Sequence, residues 1–371
     1  MSTNLARVPS GVQVVIGDAA RLVREAERVV LSTFAGWSYE EVRLPMFDYA
    51  ELFEEGLGAA RTPRTYRFTD HEGRLLALRP ELTTLVARTV ATRMADRVPP
   101  LRLAYSGEVF RWDPPRRGQP VELHQVGLEH LGTDRLEADL EVLVVCVEAL
   151  RALGLDGFRI QLSHVGFVQG IVDGLGLDAD SAERLRGLLD HRDRDGVEAF
   201  LSVHSPPDKC RRFAAITTLS GGADVLDEAA VVVNNATSRA ALADLRRILD
   251  AADAAGLTDV LAVDLGGVAG FDYYTGLTFS VFAPGLGAAV GGGGRYDRLM
   301  SRFGLDLPAV GFSLCLDWLV ELVAGTEAGD RLLDIDPPHR LANRDLASLF
   351  GEAARLRGDG EPVLIDAAGD D

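Results

Sequence analysis

The stretch from Leu265 to Asp297 constrains this chain most. Leu277, Phe279 and Val281 alternate with Thr278 and Ser280, the period of a half-buried strand. Pro284-Gly285 is a turn signal, and Gly291-Gly-Gly-Gly-Arg-Tyr-Asp297 returns behind it. Four successive glycines carry no Cβ, so their backbone can lie directly against another backbone or a ligand. The stretch therefore predicts a strand, a turn and a glycine-lined return that other strands must flank. Tyr273 and Tyr274 stand at the mouth of the strand, where a polar aromatic can line a pocket.

The remaining chain must supply the partners. A length of 371 residues predicts one large domain with a small appendage or insert, and a 47% hydrophobic share can fill a sizeable core. Proteins that grip tRNA or DNA by its phosphates present a basic face. Here 38 basic residues stand against 56 acidic ones, a net charge of −18, which argues against a nucleic-acid partner. Cys146, Cys210 and Cys315 are odd in number and lack Cys-x-x-Cys spacing, which argues for a reducing compartment and against a disulfide scaffold or zinc site. No apolar run reaches membrane-spanning length, and residues 1–16 lack a signal-peptide layout. The expectation is an acidic cytoplasmic protein of mixed α and β structure.

Taken in order, Asp18 can cap a helix that carries Leu22, Ala26, Val30 and Phe34 and ends at Gly36. Tyr39 to Leu44 reads as a strand closed by Pro45. Residues 65–69 and 74–79 flank Asp70-His-Glu-Gly73 as a hairpin. Pro80 opens a helix whose first turn holds Glu81 and Thr83. Glu81 there complements the helix dipole or receives a ligand ammonium group. Leu101–Phe110 and Val121–Leu131 read as strands, with Gln125 and Glu129 on one face as a solvated edge or a pocket floor. His124 and His130 lack zinc-site spacing, so no metal is expected. Leu136–Leu153 is an amphipathic helix, and residues 166–256 read as a mostly helical insert in a core spanning 1–325. Residues 326–371 read as a polar linker, to about 340, and a small remnant with one helix and one strand.

Seven short motifs then carry a resemblance. They are Glu41-Val-Arg-Leu-Pro45, Leu78-Arg-Pro-Glu-Leu-Thr83, Val109-Phe-Arg111, His124-Gln-Val-Gly-Leu-Glu129, Gly270-Phe-Asp-Tyr-Tyr-Thr275, Gly293-Gly-Arg-Tyr-Asp297 and Pro308-Ala-Val-Gly-Phe312. Their order over roughly residues 8–323 is similar to that of histidyl-tRNA synthetases. The resemblance implies an α+β fold, a class II aminoacyl-tRNA synthetase-like core with a large antiparallel sheet flanked by helices. It also implies a homodimer built around the segment near Pro45.

The departures from that pattern shape the expected function. Synthetases carry arginines where this chain has Gln119, Val121 and Ala269, and Glu-Arg-Leu where it has Asp317-Trp318-Leu319. Those arginines neutralise the phosphate charge of adenylate formation. The last residues are too few for the family's anticodon-binding domain. Together these features resemble the regulatory subunits of ATP phosphoribosyltransferase, the family's non-catalytic paralogues. The resemblance implies that the chain binds the short-form catalytic subunit in a hetero-octamer, activates the first step of histidine synthesis and confers L-histidine feedback. No aminoacylation, tRNA or cofactor is expected. A histidine site would draw on Glu81, Thr83 and Gln125 for the α-ammonium, Glu129 and Tyr274 for the imidazole, and Tyr273 for the wall. Arg111 and Arg116 would remain from a phosphate site. A divergent synthetase, or an interaction module for another partner, stays open as an alternative.

Overall fold

A computed structural model of the chain describes residues 8–57, 65–112, 120–190, 193–203, 219–267, 273–334, 339–341, 346–359 and 361–365. Helix α1 (Asp18–Gly36) buries Leu22, Ala26, Val30 and Phe34, one residue per turn on a single stripe. Asp18 is its first residue and not its cap. The cap is Gly17, which has no side chain to offer the first turn. Strand β1 (Glu40–Glu41) is shorter than the predicted Tyr39–Leu44. Beyond it a side chain holds the backbone: Arg79 Nη1 donates to the Leu44 carbonyl at 2.9 Å.

Strand β2 (Phe47–Tyr49), helix α2 (Ala50–Leu57) and the predicted hairpin, β3 (Arg67–Thr69) with β4 (Leu75–Leu78), follow. The three strands form a small antiparallel sheet in the order β2-β4-β3. Helix α3 (Thr83–Arg93) leads to the long pair β5 (Leu101–Phe110) and β6 (Glu122–Leu131). Helix α4 (Leu136–Ala152) and strand β7 (Arg159–His164) come next.

The next described helices are α5 (Val165–Gly174), α6 (Ala179–Asp190), α7 (Arg194–Ser202), α8 (Asp224–Val232) and α9 (Ala236–Ala254), in the stretch read as a helical insert. A two-residue strand, β8 (Ser220–Gly221), interrupts it. Asn235 caps α9 by accepting from the Ser238 amide at 2.7 Å. Asn235→Ala should cost about 1 kcal/mol. Hydrogen exchange of the first α9 amides, faster in the variant by about fivefold, checks this.

Strands β9 (Leu261–Asp264), β10 (Leu277–Phe282), β11 (Gly291–Arg295) and β12 (Ala309–Cys315) complete a nine-stranded sheet ordered β1-β5-β6-β12-β11-β10-β7-β9-β8. Its pairs are antiparallel except β1–β5 and β7–β9. The opening stretch thus folds as β10, a turn and β11, and β11 is interior, between β10 and β12. A Cβ on Gly293 would stand 2.1 Å from the Gly311 carbonyl oxygen, so the glycine run is a condition of this close packing.

The sheet has two unlike faces. Val126, Leu128, Leu162, Phe279, Val281 and Phe312 join α1, α4 and the inserted helices in the main core. On the opposite face Leu82, Leu85, Leu103, Tyr105, Tyr273 and Tyr296 form a second, smaller core under α2 and α3. Helix α10 (Leu316–Val323) closes the sheet region.

Residues 325–340 are not simply a linker, because helix α11 (Glu327–Leu333) lies inside them. Thr326 caps it, and Ala328 is buried in the main core, where small residues let α11 approach α1. The last elements, β13 (His339–Leu341), α12 (Leu346–Gly358) and β14 (Val363–Ile365), make a parallel pair with one helix. The predicted helix and strand are among them. Strand β13 was not predicted, being three residues that form a strand only by pairing with β14. No helix among the described residues is long and apolar enough to cross a membrane.

Candidate functional site

The second face of the sheet is not fully covered, and a cavity of about 440 Å³ opens there. Glu81, Thr83, Gln125, Glu129, Tyr273 and Tyr274 all line it, as does Arg111. Six residues from three distant segments therefore meet in one place. Arg116 and Ala269 lie outside the described residues.

Glu81 stands two residues ahead of α3, not inside its first turn. Its carboxylate folds back and accepts from the Thr84 amide at 3.0 and 3.2 Å, so it satisfies an orphan donor of the helix start. Arg111 lies close by, its Nε donating to the Pro80 carbonyl at 2.7 Å. Burial pushes the Glu81 carboxyl above the usual range, while the Thr84 bonds and the Arg111 charge oppose the rise.

Glu129 is the centre of the site. It comes from β6, whose period-two alternation turns Gln125 and Glu129 to the same side. Its Oε1 accepts from Thr83 Oγ1 at 2.8 Å and from the Tyr105 hydroxyl at 3.0 Å. Its Oε2 accepts from the Tyr296 hydroxyl. Complete burial raises its pKa to about 8, with the three hydroxyl bonds working against the rise and Glu81 adding to it. Gly311 lies directly under it on the neighbouring strand. A Cβ there would stand 1.8 Å from Glu129 Oε2, so only glycine leaves the carboxyl its place.

The aromatic wall is Tyr273, which meets Tyr274 and Tyr296 edge-on at ring separations of 4.9 and 5.6 Å. Burial holds the hydroxyls of Tyr105, Tyr273 and Tyr296 far above the usual range, so each stays a protonated donor. Gln125 Nε2 reaches Ser313 Oγ at 3.5 Å, a long contact that a better acceptor in the cavity can replace.

Sequence reasoning missed Tyr105 and Tyr296. Tyr296 had a signal: it follows Arg295 at the end of a strand, so the two side chains take opposite faces. Arg295 indeed points the other way, into a two-point ion pair with Asp139 of α4, at 2.8 and 3.0 Å, with both side chains buried. Gln161, Ser163, Asp264, Thr278 and Ser280 also line the cavity, and register alone brings them there. Arg111 is the one cation lining it among the described residues.

His124 and His130 alternate onto the face of β6 opposite Glu129. His124 meets Ser106 Oγ at 2.7 Å, and its backbone N–H donates to Asp317 Oδ2 at 2.7 Å. Among the described residues no group of three or more His, Cys, Asp or Glu is placed to hold a metal ion. Cys315 lines the cavity, but burial pushes its thiol up to about 12, so it is not a nucleophile at neutral pH. Trp318 lines the same end, where the synthetase pattern has an arginine.

Comparison with known proteins matches this geometry to a family. The profile described as Histidyl-tRNA synthetase covers residues 11–319. The ATP phosphoribosyltransferase regulatory subunit of Moorella thermoacetica is 38% identical over 368 residues, spanning 99% of this chain and 94% of its own. The protein of that name from Geobacter sulfurreducens is 38% identical over 310 residues, spanning 83% of this chain and 71% of its own. A solved Bacillus halodurans structure, described as an ATP phosphoribosyltransferase regulatory subunit/histidyl-tRNA synthetase, superposes with a TM-score of 0.87 at 26% identity, covering 99% of this chain and 94% of that one. A histidyl-tRNA synthetase from a Nostoc species shares the fold at a TM-score of 0.79 and 18% identity, over 99% of this chain and 87% of that one.

Proposed function

Because this chain belongs to the histidyl-tRNA synthetase family, and within it to the ATP phosphoribosyltransferase regulatory subunits, we propose that it works without chemistry of its own. In this reading it activates a short-form ATP phosphoribosyltransferase catalytic subunit in the first step of L-histidine biosynthesis and makes that step sensitive to histidine. It does so in the cytoplasm, as a homodimer within a hetero-octamer, and does not charge tRNA.

The observation that carries the histidine part is Glu129, a buried carboxyl held by three hydroxyls at the bottom of a polar cavity. One imidazole nitrogen of the ligand meets Glu129, and Tyr274 is the partner of the other. The α-ammonium meets Glu81 and Gln125, with Thr83 bridging to Glu129. Tyr273 forms the wall. The ligand carboxylate goes to Arg111, beside Glu81, which supplies a cation that Ala269 cannot. A sensor needs only a difference in affinity between two states, and no reaction step. The replacement of synthetase arginines by Gln119, Val121, Ala269 and Trp318 supports the absence of adenylate chemistry. We assign the sensor to the core of residues 1–325.

The test is co-purification with the short-form catalytic chain of the same organism, followed by its activity with and without histidine. The expected result is a stable complex, turnover raised at least tenfold, and suppression by histidine. Failure of the two chains to associate overturns the regulatory reading. Histidine-dependent ATP–pyrophosphate exchange by this chain alone overturns the non-catalytic one.

A further inference from the structure

A second cavity, of about 750 Å³, opens on the other face of the sheet, between the start of α4, one face of α9 and the ends of β7, β10 and β11. It stands back to back with the first cavity, and the two share two backbone segments. Tyr273 and Tyr274 line the front, whereas Thr275, Gly276 and Leu277 line the back. Tyr296 faces the front, and its neighbours Arg295 and Asp297 face the back. The Asp297 amide donates to Thr275 Oγ1 at 3.0 Å and ties the two segments together.

The lining carries both signs of charge, and several of its ions are already closely paired. Arg295 holds Asp139 and Asp297 at 2.8 and 3.1 Å, and Arg135 holds Glu137. His164 is the exception. It pairs with Leu277 across β7 and β10, and its side chain is only 11% exposed. Burial holds its pKa below the usual range, so the ring is neutral at neutral pH. Its Nδ1 accepts from the Gly166 amide at 3.1 Å, which places the ring proton on Nε2. That N–H has no hydrogen-bond partner among the described residues, because Asp244 Oδ2 stands 3.7 Å away. A donor and a carboxylate acceptor thus lie side by side on the cavity wall, too far apart to satisfy each other. Arg247 holds the other oxygen of Asp244.

Beside this pair the wall is apolar. Ile248 and Ala251 follow Asp244 by four and seven residues, so they share its face of α9. Leu140 faces them from α4, half-buried, and Leu277 closes the floor.

The geometry points to a second binding site, one for a free α-amino acid with an aliphatic side chain. The ligand carboxylate accepts from His164 Nε2, its ammonium donates to Asp244 Oδ2, and its side chain lies on Ile248, Ala251, Leu140 and Leu277. An α-amino acid carries a donor and an acceptor side by side, the complement of this pair. A lone cation would leave the His164 donor unmet, and a lone anion would meet the Asp244 charge. Because the cavities share residues 273–277 and 295–297, filling one changes the affinity of the other, and the effect is reciprocal. That coupling rests on the histidine reading, whereas the site itself does not.

Calorimetric titration of the full chain tests it, with L-leucine, L-leucinamide and 4-methylpentanoate as probes. Leucine should bind saturably whether histidine is present or absent. The amide and the acid each lack one charge and should bind about tenfold more weakly or worse, because a buried partner is left unpaired. His164→Asn, whose side-chain oxygen can still accept from the Gly166 amide, should weaken leucine by about tenfold or more and leave the affinity for histidine alone unchanged. Asp244→Asn should do the same. Glu129→Gln should weaken histidine and spare leucine. Saturating leucine should shift the histidine Kd by about fivefold or more. No leucine binding, equal binding of either half-ligand, strict competition between leucine and histidine, or insensitivity to both His164→Asn and Asp244→Asn overturns the site. A smaller shift in the histidine Kd overturns the coupling. An unaltered chain that binds leucine and not histidine overturns the histidine reading instead.

Discussion

Glu129→Gln should weaken histidine binding about 10- to 100-fold, the effect of losing a charged hydrogen bond worth about 1.5–3 kcal/mol. It should also remove one limb of the pH profile. The empty site holds a proton on Glu129 up to about pH 8, whereas the ligand imidazole holds one only below about pH 6.5. The bound pair shares a single proton. Between those values one partner already carries it, so binding neither takes up nor releases a proton, and affinity is greatest. Above about pH 8 the pair must take up a proton, and affinity falls about tenfold per pH unit. Below about pH 6.5 one must leave, with the same slope. Calorimetric titration from pH 5.5 to 9.5 reads both limbs. In Glu129→Gln the fall that begins near pH 8 with Glu129 should vanish, leaving only the fall that follows loss of the ligand's α-ammonium proton. A profile identical in both proteins would remove Glu129 from the site.

The same carboxyl has a signed effect on the empty fold. Its folded pKa lies above its ordinary 4.5, so the folded chain retains a proton that the unfolded chain releases. That contribution to stability is complete below about pH 4.5 and is lost as pH rises through about 8. Thermal unfolding over this window should therefore decline less steeply in Glu129→Gln.

Asp139→Ala should destabilise the fold by about 3 kcal/mol. Arg295 is buried, and Asp139 holds it by two bonds of 2.8 and 3.0 Å. Removing the carboxylate takes away the main partner of a buried cation, the costly half of breaking a buried pair. Arg295 would keep Asp297 at 3.1 Å and the Thr133 and Arg135 carbonyls at 3.1 and 3.3 Å, which places the loss at the lower end of the range. Replacing both partners at once, as Asp139→Leu with Arg295→Met, should recover most of it, because a buried pair is worth little against a well-packed apolar one. Thermal unfolding of the three variants measures this. A single variant as stable as the double one would show that the pair carries no such burden. Because Tyr296 follows Arg295 and bonds Glu129, the single change should also loosen histidine binding, whereas Asn235→Ala, far along the insert, should not.

Much of this was open to reading along the chain. The alternation of Leu277, Phe279 and Val281 marked β10, the glycine run marked a close backbone approach, and Gln125 with Glu129 marked one strand face. Those signals are local, because they depend on periods of two or on a missing Cβ. The seven motifs then selected the family, and the six residues they assigned to a histidine site all line the cavity.

What the tertiary structure alone decided lies in register and in burial. That Asp264 and Ser163 share a cavity with Glu129 follows from the pairing of β6, β12, β11, β10, β7 and β9, and pairing partners are set by long-range packing. That Glu129 titrates near 8 follows from its desolvation, a property of everything packed around it. Residues 327–333 became a helix because Ala328 found a buried seat in the main core. Local sequence determined which faces each strand offers, and the three-dimensional fold decided which of those faces meet.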